Sequence, residues 1–133
     1  SLRKFRINQH RPVINPKVLA HEIQNLLTSK NIRGMRKVSK FVPKGSYLRA
    51  AELLRKNNKV VFVGTGFPVN ESFETDGPLG AIALYKCIKE LGGEAFIVCD
   101  EPLFTAINDK FNTIKIEHGK DSSEALLRKY KPS

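Results

Sequence analysis

Four carboxylates carry most of the chemistry this chain can offer in one neighbourhood. Glu71, Glu74 and Asp76 lie within the run GTGFPVNESFETDGPLGA, and Asp100 closes the apolar run EAFIVCD. Carboxylate oxygens are hard donors, so two or three that converge can bind a divalent cation or move a proton. Asp76 reads equally well as a helix N-cap or Asx-turn residue, Asp100 as a cap for the segment after it, and Glu71 and Glu74 as solvated side chains. Thr65, Asn70, Ser72 and Thr75 add neutral hydrogen-bonding groups, while Gly64 and Gly66 let a ligand approach the backbone closely. Phe67 and Phe73 can close over a ligand or anchor the segment in the core. Asp100 serves the same edge only if EAFIVCD is a strand parallel to the one preceding Gly64.

The elements that must position these groups follow from the pattern. KVVFVG is a short, β-branched apolar run and predicts a strand buried on both faces. Gly64–Gly77, with three glycines, Pro68, Asn70 and Ser72, predicts a loop without regular structure. Its 14 residues exceed the roughly 2–6 of an ordinary strand-to-helix connection, and long loops at strand ends disproportionately carry function. Pro78 suits the first turn of a helix, LGAIALYKCIKELGG, which Gly92 and Gly93 stop. EAFIVCD predicts a second buried strand, 102–111 a short helix, TIKIEH a third strand, and 122–130 a last helix capped by Asp121 or Ser122. Upstream, Asn15-Pro16 starts a helix with Val18, Leu19, Ile23, Leu26 and Leu27 at helical spacing. Ser46 caps another, with Leu48, Ala51, Leu53 and Leu54 toward a core.

Strands alternating with helices predict an α/β fold, a three-layer Rossmann-like domain with a mainly parallel sheet. It occupies 45–133, which reads as the first half of a larger domain. Residues 1–44 form a basic extended arm, a helix and a connector. In open α/β sheets ligands bind beyond the carboxyl ends of the strands, where the loop begins. The helix start at Thr75–Gly80 offers N–H groups suited to an anion. GTGFPV lacks the third glycine of a dinucleotide fingerprint, and no GK[ST] follows as in a Walker loop. The candidate substrate contacts are Thr65, Gly66, Phe67, Thr75, Gly77 and Gly80.

Composition removes other classes. The 133 residues, 41% hydrophobic and 27% charged, suit one globular domain. No apolar run approaches the roughly 18–20 residues that cross a bilayer, and SLRKFRINQHR lacks a signal-peptide apolar core. Cys87 and Cys99 read as buried free thiols rather than a disulfide or metal pair. His10, His21 and His118 are scattered without metal-ligand spacing. The net charge of +10 is uneven: residues 1–59 hold 15 Lys/Arg and two acids, giving +13, and 60–133 give −3. A basic half can meet nucleic acid, an anionic membrane or an acidic partner. It carries no RNA-binding motif or interleaved aromatics, which disfavours nucleic acid.

The run TGFPVNESFETDGPLGAIALYKCIKELGGEAFIVCDE resembles the C-terminal domain of the D-glutamate cyclase family, most specifically at ETDGPLGA, Glu74–Ala81. Asn31-Ile32-Arg33-Gly34-Met35 is similar to an Arg-Gly element upstream of the first strand in that family. The resemblance covers roughly residues 20–133 and about the first half of the family's domain. It implies a lyase that cyclises D-glutamate to 5-oxo-D-proline with loss of water, assisted by a divalent cation such as manganese, in the mitochondrial matrix. It further implies Arg33 as a bidentate partner of the substrate α-carboxylate, Glu74 and Asp76 as the catalytic residues, and Glu74, Asp76 and Asp100 as ligands of the cation. The alternatives are a non-catalytic anion-binding module that needs the rest of the domain or another chain as partner, and a basic nucleic-acid-binding domain.

Overall fold

A computed structural model describes residues 14–30, 32–66, 68–70, 72–117 and 123–132. The chain divides into two compact units, with the boundary between Glu52 and Leu53.

In the N-terminal unit, helix α1 (Pro16–Ser29) begins as its residue types dictate. The Asn15 side chain accepts from Lys17 N–H at 2.9 Å, and Pro16 fills the first helical turn. The connector folds into a 3-10 turn (Ile32–Gly34) and the short helix α2 (Met35–Ser39). Arg33 and Gly34 stand at positive φ, 54° and 75°. Helix α3 (Ser46–Lys56) follows and runs across the unit boundary, but Ser46 is not its cap: Ser46 Oγ donates to Pro43 O, and Gly45 O accepts from Arg49 N. The apolar stripe expected of α1 stays largely uncovered. Leu26 and Leu27 are 74% and 64% exposed, Val18 and Leu19 are exposed, and Ala20 is the one buried residue of the helix. Helical spacing identifies an apolar face; only a partner element buries it. Ala51 and Leu53 of α3 are exposed for the same reason, whereas Leu48 is half-buried.

The C-terminal unit is the α/β part. Strands β1 (Val60–Gly64), β4 (Glu94–Cys99) and β5 (Thr113–Lys115) form a parallel sheet in the order β1-β4-β5. The 65–75 segment carries a further pair, β2 (Pro68–Val69) and β3 (Ser72–Phe73), antiparallel to each other. Helix α4 (Asp76–Glu90) follows. It packs Ala81 and Ile88 against Val63 and Ala95, while Ile97 and Cys99 pack with Leu103 and Ile107 of α5 (Leu103–Ile107). Ile88 and Ile97 are fully buried, each contributing about 1.5–3 kcal/mol by apolar burial. On the opposite face, register places Phe62 beside Phe96, and Tyr130 of α6 (Ser123–Tyr130) meets both rings at 5.7 and 4.7 Å between centroids.

Some expectations change. β1 is mostly half-buried rather than covered on both faces. Phe96 and Val98 of β4 are likewise half-buried. α4 starts two residues before Pro78, which sits within the first turn, where its missing N–H costs nothing. Cys87 is exposed on α4, and only Cys99 is a buried thiol. α4 ends at the expected glycines: Gly93 N donates to Ile88 O and Gly92 N to Lys89 O, with Gly92 at φ 82°, a Schellman pattern. A side chain at Gly93 would collide with the Asn58 carbonyl. The arm 1–13, Phe67, Glu71, His118 and the caps Asp121 and Ser122 lie outside the described residues.

Candidate functional site

β1 and β4 both end at the edge where the 65–75 segment begins. Thr65 N donates to Val98 O at 3.1 Å, extending the pairing one residue beyond β1. Gly66 then turns at φ 99°, so close to the end of β4 that a β-carbon there would lie 3.1 Å from Leu103 Cδ2, 3.4 Å from Cys99 Cβ and 3.5 Å from Asp100 Oδ1. A β-carbon at Gly77 would lie 3.3 Å from Thr65 Oγ1. Thr65-Gly66 is therefore wedged between the first turn of α4 and the residue after β4. Thr65, Gly66, Gly77 and Asp100, expected at one edge from topology, come together there.

The segment is not the irregular loop that its glycines and Pro68 predicted. Asn70 adopts φ 55°, a conformation that Asn tolerates better than most residues, and this lets the two-residue strands β2 and β3 pair. Phe73 packs against the cluster of Ile97, Cys99, Leu103 and Ile107, so it anchors the hairpin in the core rather than covering a ligand.

At the start of α4, Glu74, Thr75, Asp76 and Gly80 are all exposed. Asp76 Oδ1 accepts from Gly77 N at 3.0 Å, whereas the Thr75 side chain makes no capping bond. The helix start thus already holds one negative charge and one satisfied donor, and Pro78 removes another donor. Asp76 thus offsets part of the partial positive charge of the helix start, which leaves less of that turn open to an external anion. Nothing lies within 4 Å of a β-carbon placed on Gly80. Arg33 belongs to the N-terminal unit.

Sequence reasoning missed the neighbour of Asp100. Glu101 accepts from Thr105 N at 3.2 Å and pairs with Lys115 Nζ at 3.0 Å. These bonds, from Thr105 first and then Lys115, hold its carboxyl below the ordinary range. An acid four residues ahead of Thr105, at the start of a predicted helix, was the signal available. Beneath it, burial first and then the charges of Asp100 and Glu101 push the Cys99 thiol up to about 11, so it stays protonated.

Glu74, Asp76 and Asp100 suit a hard divalent cation in donor type. Among the described residues, no three His, Cys, Asp or Glu side chains gather as a metal-holding group. No helix among them is long and apolar enough to cross a membrane.

A family model described as D-glutamate cyclase-like, C-terminal, matches residues 23–130. No curated protein and no solved structure matches the chain.

Proposed function

The chain belongs to the D-glutamate cyclase-like family, matching its C-terminal domain, and on that premise we propose that it cyclises D-glutamate to 5-oxo-D-proline and water. The family match, which spans both halves of the Thr65–Asp100 edge, carries the reading. In the reaction the substrate nitrogen forms a bond to the carbon of its own γ-carboxyl group. One oxygen of that carboxyl departs as water, with the two protons that the ammonium gives up. The catalyst must hold the chain curled, deprotonate the ammonium and stabilise charge on the remaining oxygen.

Asp76, with one oxygen fixed by Gly77 N–H, orients the ammonium, and the neighbouring Glu74 takes its proton. Thr65 Oγ1, set beside Gly77, and the backbone at Gly66 contact the substrate carboxyl groups. Thr75, Gly77 and Gly80 complete the substrate contacts. A divalent cation such as manganese is the cofactor the family resemblance implies, and it would polarise the γ-carboxyl group; Glu74, Asp76 and Asp100 suit it in donor type but would have to draw together to hold it. The proposed compartment is the mitochondrial matrix.

A second reading has its own support. Asp76 Oδ1 is already engaged by Gly77 N, as in a purely structural turn, which favours a non-catalytic binding module that works with a partner domain. The test is to incubate the full chain with D-glutamate, with and without manganese, and to follow 5-oxoproline by chiral chromatography and mass spectrometry. The cyclase reading expects product from D-glutamate. It also expects Glu74→Gln to lose about 10²–10⁴ in kcat, the usual contribution of a general base, and Asp76→Asn to raise KM. Saturable D-glutamate binding without product refutes it in favour of the binding module.

A further inference from the structure

The N-terminal unit contains a cavity of about 390 Å³ formed by α1, the Lys44-Gly45 turn and the start of α3. Its rim brings together Lys17 and His21, one turn apart on α1, with Lys44 and Arg49. None of the described residues lining it is acidic. The Arg49 guanidinium is fixed in advance: Nη1 donates to Lys44 O and Nη2 to Ser46 Oγ, both at 2.7 Å. That leaves further N–H groups of its planar fork for a ligand. The floor is of a different character, with buried Ala20, half-buried Leu48 and the partly exposed Tyr47 ring. Lys17, Ala20 and His21 precede the 23–130 family match, whereas Gln24 and the lining residues from Lys44 to Arg49 lie within it.

We propose that this cavity binds a phosphorylated small molecule of mononucleotide size. Three cations, one of them fixed in place, line the cavity with no acidic residue beside them, so a single carboxylate would leave them under-neutralised and a phosphate dianion matches them better. The volume falls in the range of small-molecule pockets, about 300–1,000 Å³. The apolar floor and Tyr47 suit a planar organic body rather than a bare anion. Arg49 supplies the oriented fork and Lys17 and Lys44 the point charges.

The test titrates the full chain calorimetrically with AMP and, separately, with inorganic phosphate at low salt, while NMR follows the His21 ring resonances. Saturable AMP binding that shifts His21 and is at least tenfold tighter than phosphate supports the proposal. The double variant Lys17→Glu/Lys44→Glu is expected to weaken AMP at least tenfold. The charge-matched control Lys37→Glu/Lys40→Glu, at exposed positions outside the cavity, is expected to change it less than threefold. Equal weakening by both double variants would make the effect diffuse attraction and overturn the proposal. Phosphate binding as tightly as AMP, or AMP leaving His21 unmoved in the unaltered chain, would also overturn it, whatever the folding of the variants.

Discussion

Replacing Gly66 by alanine probes the wedge that joins the ends of β1 and β4. At φ 99° the backbone lies in a region where an L-residue costs about 1–2 kcal/mol. The new β-carbon would stand 3.1 Å from Leu103 Cδ2 and 3.4 Å from Cys99 Cβ, both in fully packed surroundings. Forcing atoms into such packing costs about 1–3 kcal/mol. Leu103 Cδ2 is the end of a side chain and can yield, so the lower part of that range applies, and the total is about 2–3 kcal/mol. With a urea slope of about 1–3 kcal/mol/M for a small protein, the midpoint should fall by about 0.7–3 M. The assay is urea unfolding followed by far-UV circular dichroism, with Gly64→Ala beside it. Gly64 has no positive φ and nothing within 4 Å of an added β-carbon, so its midpoint should move much less. Equal midpoints for the two variants would refute the claim that Gly66 is required by conformation and close approach.

Gly80→Ala should stabilise the chain by about 0.5–1 kcal/mol, since the position is helical, exposed and open; a lower midpoint in the same urea assay would contradict this. With a thiol reagent such as DTNB at neutral pH, Cys87 should react at once. Cys99, buried and with its pKa raised to about 11, should react only on unfolding, and two rapid equivalents would be inconsistent with its burial. Linkage gives Cys99 a sign: its folded-state preference for the thiol is fully present below the ordinary thiol pKa and is lost as pH rises from there toward 11. Glu101 runs the other way. Its pKa is lowered by Thr105 and Lys115, so its contribution is present above the ordinary carboxyl pKa and lost as pH falls through the folded value. Glu101→Gln should therefore flatten the acid limb of the stability–pH curve, and an unchanged limb would show that the pair is inert.

The element order was legible because local chemistry dictated it. Asn15-Pro16 starts α1, the β-branched run at Val60–Val63 makes β1, and Gly92-Gly93 stop α4. What failed to show was whether anything covers an element. Leu26 and Leu27 have the spacing of a core face and no burial, and Cys87 shares α4 with the buried Ile88 yet points outward. The hairpin escaped notice because Pro68 and the glycines argue against strand, while a two-residue ladder needs only Asn70 in a left-handed turn. At the site, residue types placed Thr65, Gly66, Gly77 and Asp100 at the right edge. Their mutual contacts are non-local and depend on Thr65 N pairing with Val98 O. Glu101 was obscured because its role depends on Lys115, which the sequence places on a separate strand.

The segment between β1 and α4 is pinned at three points: at Thr65-Gly66 by the end of β4, at Phe73 by the buried cluster, and at Gly77 by Thr65. Between the first two pins, Val69 and Asn70 are exposed and pair only within their own hairpin. Val69 and Asn70 thus sit on a fixed frame as a replaceable tip. Recombination or directed evolution can change its length and composition without re-engineering the sheet that supports it.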